Sequence, residues 1–146
     1  MVEFALVLPI LLVIMYGLLE VGRLIFVYST VVSASREAAR YGSATGWNET
    51  QTAYRYLDCD GIRAAAENVD FLGVIEDANI LIQYDEGPGG TIISPTCPPG
   101  SIQTGDRIVV QVSATFTPLA AIVPLNPITI TSTNSRTFLV SVTIMP

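Results

Sequence analysis

The chain is 146 residues long; half of its residues are hydrophobic and only 14% are charged. That length suits one long helix and one small domain, and the apolar content is high for a soluble protein. The net charge is −6, and the seven basic residues are all arginine. This balance argues against nucleic acid as a partner, and the absence of histidine excludes histidine bases and histidine metal ligands.

An apolar stretch opens the sequence and predicts a long helix. Phe4–Leu19 contains no charged residue, Glu20 and Arg23 interrupt the run, and Leu24–Val32 resumes it. Because a membrane-spanning helix needs about 20 mostly apolar residues, the run is long enough to cross a bilayer. It lacks the basic start that is typical of a cleaved secretory signal.

The helix is predicted to continue to about Ala44, where Gly42 and Gly46 indicate its end. With a rise of 1.5 Å per residue it is roughly 60 Å long, which is too long for a bilayer alone, so its second half must pack on protein. Small residues recur at four-residue spacing, which lets helices approach closely. These pairs are Ser29 and Ser33, Ala34 and Ala38, and Ser35 and Ala39.

Two residues near the start of the helix have more than one interpretation. Glu3 places a carboxylate at or in hydrocarbon, which costs about 3 kcal/mol, and the nearest arginine, Arg23, is roughly 30 Å away along the helix. Its partner is therefore water or headgroups, a helix N-terminus, or another subunit. Pro9 removes the amide that would bond to Ala5, so it either bends the helix to fit a bundle or is merely tolerated.

Glu20 and Arg23 lie three residues apart on one helix face and can pair. They either pair within hydrocarbon, lie at the outer membrane interface, or pair between subunits. Arg36, Glu37 and Arg40 form a similar set on a solvated or inter-subunit face.

The sequence after Gly46 is polar and predicts a loop followed by a short helix. Asn48-Glu49-Thr50 matches a glycosylation acceptor, which is a weak signal by itself. Asp60 is expected to cap the helix, and Gly73 to end it. The residues predicted to form its apolar face are Ile62, Ala65, Ala66, Val69 and Leu72.

The two cysteines, Cys59 and Cys97, lie in the part of the chain that would face away from the cytoplasm. Two cysteines in an exported domain most often form a disulfide, and the alternative is two free thiols in a reducing compartment.

The pattern from Ala78 onward predicts strands. We expect strands at Asn79–Tyr84, Asp106–Phe116, Ile128–Ser132 and Thr137–Ile144, the last two forming a hairpin around Asn134. Residues 85–90 and 95–105 are expected to be irregular. Thr117–Pro127 contains three prolines and cannot be a central strand; it is expected to be partly exposed as a packing surface for a neighbour.

The N-terminal segment closely resembles TadE-like proteins, the pilin-like and pseudopilin subunits of tight-adherence (Tad) pili. The resemblance rests on VEFALVLP at Val2–Pro9, EVGR at Glu20–Arg23 and EAARYG at Glu37–Gly42. Gly105–Leu119 also resembles the family's carboxyl-terminal strand signature, whereas the middle of the chain is not distinctive.

The resemblance implies cleavage by a prepilin peptidase after a glycine, which leaves a glutamate as the fifth mature residue. Here that glutamate is the third residue. Either two residues are missing before Met1, or the chain is numbered from a start codon and processed otherwise. The residues expected to act in assembly or in the helix core are Glu3, Phe4, Pro9, Glu20 and Arg23.

Together these features predict an α+β fold, with a stem (residues 1–46) and a small head (residues 47–146) that contains a short helix and three or four antiparallel strands. The expected function is a structural subunit that polymerises through the stem into an extracellular Tad or type IV-like filament. The alternative is a membrane-anchored accessory or tip subunit of the assembly machine. No nucleophile–base pair, phosphate loop or metal cluster points to an enzyme.

The expected partners are other copies of the chain, other pilus subunits, the inner-membrane assembly machinery and, before assembly, the membrane itself. No nucleic acid, small-molecule substrate or cofactor is expected. The expected location is the cell-surface filament, with a precursor pool in the cytoplasmic membrane.

Overall fold

The structure, a computed structural model, describes residues 2–119 and 126–139, without the side chains of Val2, Glu3 and Ala5. Two helices, α1 (Val2–Ser43) and α2 (Cys59–Glu67), are followed by strands β1 (Ile80–Asp85), β2 (Ile92–Ser94), β3 (Arg107–Phe116) and β4 (Ile128–Thr137). Single 3-10 turns lie at Arg55–Leu57 and Asp77–Asn79. The long apolar helix, the short helix and the four-stranded antiparallel sheet confirm the predicted α+β class.

Helix α1 runs without interruption for 42 residues, through Pro9 and through Gly42. It ends one residue before the predicted Ala44, whose amide bonds to the carbonyl of Tyr41 at 3.2 Å. The chain then turns at Gly46, whose φ of 108° is open to glycine but costly for other residues.

The sheet has the order β2-β1-β3-β4, and all neighbouring strands are antiparallel. β3 lies between β1 and β4, and it pairs with β4 along its whole length, from Arg107 opposite Thr137 to Phe116 opposite Ile128. Its predicted alternation is confirmed, because every second side chain is buried. These residues are Ile108, Val110, Val112, Ala114 and Phe116.

The second half of α1 lies across this buried face of the sheet. Val31, Ala34 and Ala38 of α1 are fully buried in the same core as the β3 side chains, and α2 adds Ile62 and Ala66. This packing satisfies the expectation that the part of α1 beyond the apolar run needs a protein surface. It also joins stem and head through one continuous hydrophobic core.

The predicted hairpin around Asn134 is wrong. β4 continues straight through Asn134, because each of its residues pairs with β3 and Asn134 stands opposite Val110. The Asn134 side chain reaches α1, where it meets a polar partner. The predicted final strand continued into residues 140–144, which lie outside the described residues.

The predicted bounds of the second helix are also wrong. Asp58, rather than Asp60, is the N-cap residue, and its carboxylate accepts the Gly61 amide at 3.2 Å. The helix ends at Glu67, because the Asp70 carboxylate accepts the Leu72 and Ile75 amides at 3.2 and 2.6 Å and holds that segment in a turn. Leu72 is therefore exposed, whereas Val69 still packs against the core.

The sequence did not predict the short strand β2, which pairs with the end of β1 after a glycine-rich turn. That turn was predicted, and Gly87 and Gly89 in it have positive φ. Of the proline-rich stretch Thr117–Pro127, residues 117–119 and 126–127 lie outside the strands, as expected. Residues 120–125 lie outside the described residues.

Candidate functional site: the apolar stem and its junction with the head

The first part of the stem, residues 4–19, projects away from the head and is here called the free stem. Leu6, Leu18 and Leu19 are each about 70% exposed, and the residues between them are exposed except Tyr16, which is half-buried. By its length and composition, α1 is apolar enough to cross a membrane.

Glu20 marks the end of the free stem and is bonded on several sides. Its carboxylate accepts the hydroxyl of Tyr16 at 2.7 Å and the Arg23 guanidinium at 3.1 Å. It also accepts the backbone amide of Leu119, in the head, at 3.0 Å. The predicted pairing of Glu20 with Arg23 is therefore present, and Glu20 also binds a segment of the head.

Arg23 also binds the head, and the contacts of Glu20 and Arg23 with residues 116–119 are here called the Glu20–Arg23 junction. Arg23 donates to the carbonyl of Thr117 at 3.2 Å, and its guanidinium lies 4.9 Å from the centre of the Phe116 ring. The end of β3 and the residues that follow it are thus fixed to the helix at one level. Sequence reasoning missed these contacts, because 94 and 99 residues separate the partners and no local pattern joins them.

The EAARYG stretch explains how closely the sheet approaches α1. Ala38 and Ala39 are fully buried, and a Cβ atom on Gly42 would overlap Ile108 and touch Ile62 within about 3.1 Å. Small residues at these positions let the helix lie directly on the sheet, as they do between helices.

The three pairs of small residues at four-residue spacing divide into buried and exposed pairs. Ser35 and Ala39 are fully buried. Ala34 and Ala38 are buried within the chain, against its own head. Ser29 and Ser33 are exposed and stay predicted contacts with neighbouring stems.

Polar contacts complete the EAARYG stretch. Arg40 binds Glu37 at 2.7 Å on the surface, where an ion pair of this kind contributes about 0–1 kcal/mol. The Tyr41 hydroxyl donates to Asp58 at 2.7 Å, so α1 is tied to the residue that caps α2. Arg36 is exposed on the same helix.

A buried polar cluster sets the position of β4 against α1. The Ser35 hydroxyl is fully buried; it lies 3.0 Å from the carbonyl of Val32 and 2.9 Å from the Ser132 hydroxyl. Asn134 donates its side-chain amide to Ser35 at 2.8 Å. Because a buried polar group without a partner is costly, a shift of β4 along the helix would be penalised.

The predicted disulfide between Cys59 and Cys97 is confirmed; it links the start of α2 to the loop after β2. Beside it, the hydroxyl of Tyr84 donates to the carbonyl of Tyr56 at 2.8 Å. Burial raises the pKa of Tyr84 well above its ordinary value, so it acts as a hydrogen-bond donor inside the head.

A cleft of about 500 Å³ is lined by parts of α1, α2 and the loop between them, with Tyr41, Glu49 and Asp58 among its lining residues. Among the residues that the structure describes, no group of three or more Cys, Asp or Glu side chains could hold a metal ion. Asn48, at one edge of this cleft, bonds through its side-chain amide to Thr52 at 3.1 Å. Its glycosylation stays a prediction.

The remaining predicted assembly residues lie in the free stem or next to it. Phe4 is 71% exposed, and Pro9 lies inside the helix. The helix includes Glu3, but the Glu3 side chain is outside the description, so its partner stays a prediction.

Comparison with known proteins places the resemblance in the stem. No curated protein and no solved structure matches the chain. Residues 1–40 match the family model described as TadE-like protein, which confirms the resemblance that the sequence motifs predicted.

Proposed function

We propose that the protein is a structural, pilin-like subunit that polymerises through its stem into an extracellular filament of a Tad-type pilus. A TadE-like segment on an apolar helix fits a pilin-like Tad subunit. The free stem carries the proposal, because most of its apolar side chains are exposed and the core that the head shares with the second half of α1 does not include them.

Exposed apolar surface on this scale needs a cover. Burial of apolar area contributes about 25 cal/mol per Å², and a helix that is apolar on all sides is stable only in a membrane or inside a protein core. In our proposal lipid covers the free stem of the precursor, and neighbouring stems cover it in the filament.

The second half of α1 supports the proposal, because it holds the head and leaves the free stem for packing. The EAARYG stretch and the Ser35 cluster hold the sheet against the helix. The Glu20–Arg23 junction fixes the lower edge of the head. A stem that carries its head at a set height would place successive heads at regular positions on the outside of a stem bundle.

The partners in this proposal are other copies of the chain, other pilus subunits and the inner-membrane assembly machinery. Before assembly the subunit is held in the cytoplasmic membrane with its head outside the cytoplasm, where the disulfide is stable. The role is structural rather than catalytic.

Electron microscopy of filaments sheared from cells, with an antibody against the head, tests the proposal. We expect continuous labelling along the filaments and this chain as the bulk protein in the sheared material. Sparse labelling with only traces of the chain would instead make it an accessory or tip subunit. Filaments without the chain would contradict both roles.

A stem variant separates lipid anchoring from stem packing. A Cβ atom added at Gly17 would have no neighbour within 4 Å. Gly17→Leu therefore adds apolar bulk that a lone subunit tolerates in lipid. Between packed stems the added side chain must displace a neighbour. We expect normal membrane insertion and a strongly reduced filament yield, with the conservative neighbour Leu18→Met as the control at wild-type yield.

A further inference from the structure

The Glu20–Arg23 junction lies at a particular height on the stem. At 1.5 Å per residue, Arg23 is about 30 Å from Glu3 along the helix, which equals the thickness of the hydrocarbon core of a typical bilayer. Charged side chains are costly within that core and are tolerated at its edges. If Glu3 lies near the inner edge, as in the proposed precursor, the junction lies at the outer membrane interface.

The head reaches the same height through residues 117–119, here called the junction loop. Leu119 donates its amide to Glu20, and Thr117 accepts from Arg23, so the loop lies beside the helix at the level of the ion pair. The side chain of Leu119 is 77% exposed, whereas the preceding Phe116 is buried. An apolar side chain thus projects from the head next to the apolar surface of the free stem.

Two backbone groups of the loop have hydrogen-bond partners on the helix, which lowers the cost of placing the loop next to lipid. Irregular backbone is costly at membrane depth, since unpaired amides and carbonyls lose their water. Here the Leu119 amide and the Thr117 carbonyl bond to Glu20 and Arg23, and the two charges neutralise each other. The junction combines a charge pair and two loop backbone groups into one hydrogen-bonded unit.

We propose that the junction loop is a membrane-binding surface of the head, with Leu119 inserted into the outer lipid interface before assembly. The inference rests on the proposed membrane-held precursor and adds a lipid contact made by the head. Glu20 and Arg23 act as positioning residues that hold the loop at this depth. The occupant is the bilayer interface, because the loop continues the apolar surface of the free stem.

Tryptophan fluorescence of the full chain in phosphatidylcholine–phosphatidylglycerol vesicles tests this inference. Leu119→Trp is placed in a Trp47→Phe background, and lipids brominated near the headgroup or near the bilayer centre act as quenchers. We expect several-fold stronger quenching by the headgroup-proximal bromines and a blue-shifted emission, because tryptophan favours the interface. Native Trp47, on the head beyond the end of α1, is the unquenched comparison.

Two further variants make the result decisive. Leu12→Trp, in the middle of the free stem, is expected to be quenched most strongly by the deep bromines. If Leu12→Trp is quenched while Leu119→Trp behaves like Trp47, the proposed lipid contact of the head is wrong, whereas the proposed insertion of the stem in the membrane is supported. If Leu12→Trp is not quenched either, both are wrong. Adding Glu20→Gln is expected to weaken the quenching at position 119 but not at position 12, and unchanged quenching at 119 would contradict the positioning role.

Discussion

The side-chain amide of Asn134 on β4 donates a 2.8 Å hydrogen bond to the buried hydroxyl of Ser35 on α1, 99 residues away in sequence. The bond crosses from the edge strand of the sheet to the helix that carries the stem. It makes Asn134 a point of attachment between head and stem.

Asn134→Ala is therefore expected to destabilise the protein, because it removes a donor from the buried Ser35 cluster. The expected loss is about 1–3 kcal/mol in the free energy of unfolding. Urea denaturation of the full chain in detergent measures it. Ser135→Ala, on the exposed neighbour, is the control and should change the free energy by less than about 0.5 kcal/mol. Equal effects of the two variants would contradict the attachment role.

Gly42→Ala tests the close approach of α1 to the sheet. The added methyl group would overlap Ile108 and press on Ile62, and overpacking of this kind costs about 1–3 kcal/mol. Gly17→Ala is the matched control, since a Cβ atom there has open space and alanine favours the helix. Thermal unfolding in detergent should show a lower midpoint for Gly42→Ala alone; a midpoint at or above wild type would refute the tight packing.

The Asp85–Arg107 pair predicts how stability depends on pH. Two Arg107 nitrogens donate to the Asp85 carboxylate at 2.7 Å each, and these hydrogen bonds hold the pKa of Asp85 below its ordinary value. Because the folded-state pKa is depressed, the contribution of the pair is complete above the unfolded pKa of about 3.9. It is lost as the pH falls through the folded value.

Asp85→Asn checks this prediction. At neutral pH the variant should be less stable by about 1.5–3 kcal/mol, the range for hydrogen bonds to charged groups. The difference from wild type should shrink when the pH is lowered below about 4. Unfolding free energies measured across that range decide the point, and a difference that does not depend on pH would exclude the charge effect.

The disulfide is expected to contribute substantially to the stability of the head. Its cysteines are separated by 38 residues, and closing a loop of that length stabilises by about 3–4 kcal/mol in the chain-entropy model. The double variant Cys59→Ala/Cys97→Ala should unfold at a lower urea concentration than the oxidised wild type. Mass spectrometry after alkylation checks the bond itself: two alkylated thiols in unreduced extracellular material would contradict it.

Glu3→Gln tests whether the early glutamate acts in assembly. The substitution keeps size and polarity but removes a charge that needs a partner once the stem leaves lipid for a dry bundle. We expect an inserted, folded subunit and a sharply lower filament yield. Glu49→Gln, on an exposed head loop, is the control. If Glu3→Gln assembles as well as wild type, Glu3 is only an interfacial acid.

The sequence pattern alone predicted those elements whose structure depends on residues close together in the chain. The uninterrupted apolar run of Phe4–Leu19 predicts a membrane-length helix because length and composition alone decide that property. The alternation of β3 predicts its buried face, and two cysteines in a segment expected to be exported predict one intramolecular disulfide.

Tertiary structure decided which surface each residue meets. The four-residue spacing of Ala34 and Ala38 shows that another element can approach α1 closely. Only the fold shows that this element is the sheet of the same chain. From its local sequence Asn134 was predicted to lie in a turn. It lies in a strand, because β4 pairs with β3 over ten residue pairs and the Asn134 side chain bonds to Ser35. Glu20 and Arg23 likewise pair by local spacing, while their contacts with residues 117–119 depend on chain closure over 94 to 99 residues, which no local period encodes.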